Sequence, residues 1–197
     1  ICFAQKKSIL KLLTKGEYEQ VYEKIQTSFQ DTNDVNRLEL LALYYNQENN
    51  PDKNACLAYY YGKRLNNIEE KEIIPLEEIC KKELSVVYNS KDIEQLENFV
   101  NCFYDEKKYV REAERLLEQI VFERTQMLNT LEDYELYIEK FPNAIQANLA
   151  RQAIDEIVSL QIIESEDLEK LERFVAQTTN EKYKQQKLDN VIVSAKK

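Results

Sequence analysis

The chain of 197 residues contains no histidine. That single absence removes the commonest general base, metal ligand and physiological pH switch, and with it most hydrolytic triads. Only two glycines are present, Gly16 and Gly62, so no glycine-rich loop can cradle a phosphate. With three prolines, no tryptophan and 32% charged residues, the composition suits helices joined by short turns and disfavours β and mixed folds. No apolar run approaches the roughly 18 residues needed to cross a bilayer. Basic residues are also outnumbered, with 27 Lys and Arg against 36 Asp and Glu and a net charge of −9. Nucleic acid and anionic membrane surfaces both require concentrated positive charge, so neither is expected as a partner. Carboxylates could act in pairs, yet nearly all lie at helix-surface spacing rather than in a loop beside an aromatic subsite. The expectation is a protein that is not an enzyme and uses no cofactor or metal.

What the chain does have is an internal repeat. The segment starting at Asp92 returns at Thr130 and again at Asp167, at offsets of 38 and 37 residues. In each copy, apolar residues follow the first position at i+1, i+4, i+7 and i+8: Ile93, Leu96, Phe99 and Val100, then Leu131, Tyr134, Tyr137 and Ile138, then Leu168, Leu171, Phe174 and Val175. This spacing is one face of a short helix. A longer apolar helix follows each, and since neither can bury its stripe alone, such units must stack.

A second period of 34 residues marks the first third, where Val21 aligns with Ala55, Ile25 with Tyr59 and Ser28 with Gly62. Caps and breakers place helices at about 5–14, 17–29, 34–48, 52–65, 76–89, 92–104, 107–128, 131–140, 144–160, 168–177 and 180–194. Asp34, Asp92, Thr130 and Asp167 are the expected N-caps, and Pro51, Pro75 and Pro142 fall near helix starts. The expected organisation is a remnant at 1–4, two hairpins over 5–65, a connector and helix over 66–91, and three hairpins over 92–197.

The 34-residue period is the length of a tetratricopeptide repeat. The run Tyr134-x2-Tyr137-x3-Phe141-Pro142-Asn143-x3-Ala147-x2-Ala150 is similar to the signature of tetratricopeptide-like repeats in bacterial envelope proteins, among them outer-membrane assembly lipoproteins and periplasmic division coordinators. The similarity covers residues 128–157, and Ala144 stands where the signature has Ser. The resemblance implies an all-α, α-α superhelix of antiparallel hairpins with a scaffolding or adaptor role in an envelope assembly.

Cys2-Phe3-Ala4 before Gln5 reads as the end of a secretory signal peptide, which implies an exported protein, periplasmic or outer-membrane associated. A plain helix start and a lipid-attachment cysteine are the alternatives. Cys56, Cys80 and Cys102 lack the spacing of a zinc site or disulfide scaffold, so they read as small buried apolar residues, with one bridge left open. No polar capping helix is evident before Lys197, so either further chain or a second copy is expected against the last repeat.

Two sets of residues are candidates for binding a protein partner. The first comprises Glu94 and Glu97, Glu132 and Glu135, and Glu169 and Glu172, pairs spaced i, i+3 on the repeated short helix. Stacked, they would form an acidic ridge for a basic segment, although glutamates are also favoured in first turns by the helix dipole. The second set is drawn from the 13 tyrosines: Tyr44, Tyr60 and Tyr61. Consecutive residues are about 100° apart on a helix, so if Tyr59 faces the core with Ala55 and Gly62, Tyr60 points away. Exposed tyrosines would serve a protein interface or, in the alternative function, a carbohydrate- or peptide-binding accessory protein.

Overall fold

The computed structural model describes residues 2–164. The described residues are all-helical: α1 (Cys2–Lys15), α2 (Tyr18–Ser28), α3 (Val35–Tyr45), α4 (Ala55–Glu69), α5 (Leu76–Ser90), α6 (Ile93–Cys102), α7 (Lys107–Leu128), α8 (Leu131–Lys140) and α9 (Ala147–Glu164). Cys2 to Ala4 form the first turn of α1. The repeat beginning at Asp167 and the two helices expected after it lie outside the described residues.

Two compact units result, Ile1–Leu117 and Glu118–Lys197, with the boundary inside α7. In the first, Ile9, Leu13, Val21, Ile25, Phe29, Leu40, Leu41 and Tyr44 close a core among α1, α2 and α3. The capping expectations are met locally. Asp34 accepts from the backbone N–H groups of Asn36 and Arg37, and the Arg37 guanidinium donates to the carbonyl of Phe29 and to Gln26, closing the turn from α2 to α3. Helix α3 ends at Tyr45 rather than near residue 48 because the next turn folds back on Tyr44: Asn50 donates to its carbonyl, and its hydroxyl donates to Asp52 at 2.5 Å.

Of the segment 66–75, residues 66–69 complete α4 and the rest connects it to α5, fastened back onto α4. Asn66 donates to the carbonyl of Ile74 and accepts from the N–H groups of Ile73 and Ile74, so one amide satisfies three backbone groups. Ile74 can reach that position only because residue 62 is glycine. A Cβ on Gly62 would lie 2.7 Å from Cγ2 and 3.0 Å from Cβ of Ile74.

Of Cys56, Cys80 and Cys102, one pair takes up the bridge that the sequence left open and the third is a buried free thiol. Cys56 on α4 and Cys102 on α6 form a disulfide across 46 positions, leaving Cys80 on α5 as the buried free thiol of the unit. Helical spacing gives no sign of the pairing, because the two cysteines lie on different helices, 46 positions apart. The bridge also ties residues on either side of the expected 66–91 boundary into one unit.

The repeat is visible as local structure. Asp92 caps α6 by accepting from Gln95 N–H, and Thr130 caps α8 by accepting from Asp133 N–H. Leu96 and Phe99 are buried on α6, Tyr134 and Tyr137 on α8, and the flanking stripe residues are half-buried in both. Directly before each cap stands a left-handed residue, Lys91 at φ 53° and Asn129 at φ 51°, and each donates to the carbonyl four residues back. In the second unit Phe122, Tyr134, Tyr137 and Ala150 form the core between α7, α8 and α9.

Gly62→Ala is expected to destabilise the protein by about 1 kcal/mol or more in denaturant unfolding, overpacking against Ile74 outweighing the smaller gain in helix propensity. Replacing Cys56 and Cys102 together by Ser is expected to cost about 4 kcal/mol by the chain-entropy relation for a loop of this length, read as a lower unfolding midpoint without loss of native helicity.

Candidate functional site

Tyrosines of the first unit are linked by ring contacts. Rings from α2, α3 and α4 make a continuous band: Tyr22 lies 5.6 Å from Tyr44, Tyr44 5.1 Å from Tyr45, Tyr45 5.9 Å from Tyr61 in a near-parallel stack, and Tyr61 5.2 Å from Tyr60. Tyr44 is a correction. It is completely buried at the centre of the band, where it packs with Tyr18 and Tyr22, and so belongs to the core rather than to a contact surface. Tyr61 is half-buried in the stack. Tyr60 is 51% exposed and Tyr22 40%, so solvent meets the band at its two ends. As helical geometry requires, Tyr59 and Gly62 are buried while Tyr60 faces outwards, and the fully buried small residue beside them is Ala58 rather than Ala55. The Arg64 guanidinium lies 5.4 Å from the Tyr60 ring and donates to Asn33 in the loop before α3, which holds that end in place.

The glutamates distribute differently. Glu94, Glu132 and Glu135 are exposed and Glu97 is half-buried, whereas Glu169 and Glu172 lie outside the described residues. The pair on α6 belongs to the first unit and the pair on α8 to the second. Each shares one side of its own short helix, as the i, i+3 spacing requires.

Sequence reasoning missed a set of tyrosine–carboxylate bonds between helices. Tyr59 donates to Glu106 at 3.1 Å and Tyr109 to Glu77 at 2.6 Å, and both carboxylates act on the Cys80 thiol. Burial, with the charges of Glu106 and Glu77 nearby, pushes that thiol up to about 12, so it stays protonated and unreactive. The bond to Glu77, with burial adding to it, pushes the Tyr109 hydroxyl up to about 12. Burial does the same for Tyr44, with Asp52 beside it, and for Tyr137. Burial and the Glu106 charge also raise Tyr59 well above the ordinary tyrosine range. These partners lie 32 and 47 positions apart, and no motif announces them.

Two clefts open on the first unit. One, of about 320 Å³, runs between the start of α4, α5 and α6, with Phe99, Phe103 and Val87 in its floor and Lys53 and Glu83 among its polar groups. The other, of about 420 Å³, lies between α5 and α7 and is lined by Lys81, Leu84, Tyr88, Lys108 and Tyr109 among others. No group of three or more histidine, cysteine or carboxylate residues among the described residues could hold a metal ion. The arrangement offers aromatic faces, hydroxyls and charges for binding.

Because the pKa values of Tyr44, Tyr109 and Tyr137 are raised in the folded state above the ordinary value near 10, the stability they confer is fully present below about pH 10 and is lost as pH rises through about 12. Ultraviolet titration of tyrosinate alongside circular dichroism should show a late-titrating group that ionises only as helicity is lost. Comparison with known proteins returns no relative: no family model matches the chain, and neither the curated proteins nor the solved structures contain a significantly similar one.

Proposed function

We propose that the chain is a tetratricopeptide-like α-α superhelix acting as a non-enzymatic scaffold or adaptor for protein–protein interaction in an exported bacterial envelope assembly. The observation that carries this reading is the amount of aromatic surface left in water on the first unit: Tyr22, Tyr60, Tyr88 and Tyr104 are 40%, 51%, 54% and 65% exposed. Tyrosine is costly to leave unburied and is enriched at the centres of protein interfaces, where its ring fills a pocket and its hydroxyl finds a partner. The recurring turn, cap and apolar stripe of α6 and α8 support the solenoid reading, since one supersecondary unit is used twice. The disulfide supports export, because such bonds persist in oxidising compartments and are rare in the cytosol. Glu94 with Glu97, and Glu132 with Glu135, would meet a basic segment of the partner.

The test is capture of partners by the tagged full chain from envelope fractions, compared with a Tyr22→Ser, Tyr60→Ser variant. One reproducible protein should be lost by at least tenfold in the variant while the circular dichroism spectrum stays helical at the assay temperature. Capture unaffected by the variant, or the absence of any reproducible protein, overturns the proposal. Binding of soluble glycans that is indifferent to salt and quenches tyrosine fluorescence would overturn it in favour of the carbohydrate reading.

A further inference from the structure

The cleft between α5 and α7 has a charge opposite to that of the protein as a whole. On α5, Lys81, Leu84, Ser85 and Tyr88 stand at i, i+3, i+4 and i+7, a single helical stripe, and that stripe forms one wall. Lys108, Tyr109 and Glu112 of α7 form the other. The floor is apolar, with Leu84 and the Tyr109 ring buried. The Tyr109 ring is fixed in place because its hydroxyl donates to Glu77 at 2.6 Å. Above it, the Lys108 ammonium lies 5.0 Å from the ring centroid, held at the rim by the ring's negative face. Lys81 and Lys108 are both exposed, and neither takes part in an ion pair among the described residues. Tyr88 adds a ring that is 54% exposed.

In a chain carrying nine net negative charges, a cleft lined by two ammonium groups and one carboxylate over an apolar floor favours an anionic partner over a cationic one. We infer that the α5–α7 cleft docks an acidic amphipathic segment of a partner protein, its carboxylates on Lys81 and Lys108 and an apolar side chain on Leu84 beside Tyr88. This rests on the scaffold reading above and names the chemistry of one partner segment. A segment is favoured over a small anion because the ammonium groups stand around a volume of about 420 Å³ with an apolar floor, more room than a single anion fills. Glu112 lies four residues beyond Lys108 on the same side of α7 and sets the direction of the segment, since carboxylates are drawn to the lysines and repelled from it.

The probe is a fluorescein-labelled synthetic peptide alternating pairs of Glu with Leu and Phe, titrated with the full disulfide-bonded chain and read by fluorescence polarisation. Its Kd should fall between about 1 µM and 1 mM and weaken about tenfold or more between low and physiological salt. K81E/K108E should weaken binding by about tenfold or more, and K81Q/K108Q by a smaller factor in the same direction. Removing the repulsion with Glu112→Gln should tighten it about two- to fivefold. All three positions are exposed, so an unchanged circular dichroism melt serves as the folding control. Equal affinity of the charge-reversed protein, equal affinity for the same peptide with Lys in place of Glu, or no binding at millimolar concentration overturns the inference. Displacement by millimolar inorganic phosphate overturns it in favour of a small-anion site. If K81E/K108E still captures the partner that depends on Tyr22 and Tyr60, the cleft proposal fails and the scaffold reading stands. Loss of every captured protein in the wild-type chain fails the scaffold reading itself.

Discussion

The approach of Ile74 to the bare backbone of Gly62 is the contact on which the later half of the first unit depends. A side chain at residue 62 would force the segment leading into α5 to shift away from α4, straining the bonds by which Asn66 collects the backbone groups of Ile73 and Ile74. Tyr59, Gly62 and Asn66 stand at i, i+3 and i+7 on α4, so one helical face performs three tasks. It reaches Glu106 before α7, admits the chain ahead of α5, and closes the loop between them. The disulfide from Cys56 adds a covalent tie from the same helix to α6. Helix α4 thereby gathers α5, α6 and the start of α7, and both clefts open between elements that it positions.

Charge and aromaticity are divided in a consistent way. Carboxylates at the surface serve as acceptors for tyrosine hydroxyls that are themselves buried, as the exposed Asp52 and Glu77 and the half-buried Glu106 show, so these phenols stay satisfied and protonated. Tyr137 departs from this pattern, being 1% exposed with no hydrogen-bond partner for its hydroxyl, and its packing between Phe122 and Phe141 holds it in place instead. Outward-facing rings keep their hydroxyls in water and cost little entropy to order, which suits them to the proposed binding role. Basic side chains are outnumbered by acidic ones, and several are committed: Lys6 to Glu39, Lys53 and Lys82 to Glu48, and Lys63 to Asp105. Lys81 and Lys108 stand outside these pairs, at the rim of an apolar cleft.

The residues legible in advance were those whose role is set within one or two turns. Asp34, Asp92 and Thr130 cap helices because a short acceptor side chain reaches the free N–H groups of the first turn from its own position. The stripes around Phe99 and Tyr137 follow from helical period alone. Lys91 and Asn129 were not legible, because a left-handed residue before a cap is ordinarily signalled by glycine and here is not. Phe103 likewise stands 38 positions before Phe141 and bonds back to residue 99 as Phe141 does to residue 137, yet lacks the following Pro-Asn that marks the later copy.

By itself the amino-acid sequence determined the helical class, most helix positions, their caps and their apolar faces, since each depends on residues near one another along the chain. It also indicated that Tyr60 points away from Tyr59. Tertiary structure alone decided that Cys56 meets Cys102, that Tyr44 is enclosed while its neighbours reach the surface, that Glu77 and Glu106 serve as acceptors, and that Lys81 and Lys108 share a cleft. Most of those partners lie tens of residues apart, and which faces of the helices meet is set by long-range packing, which no local period encodes.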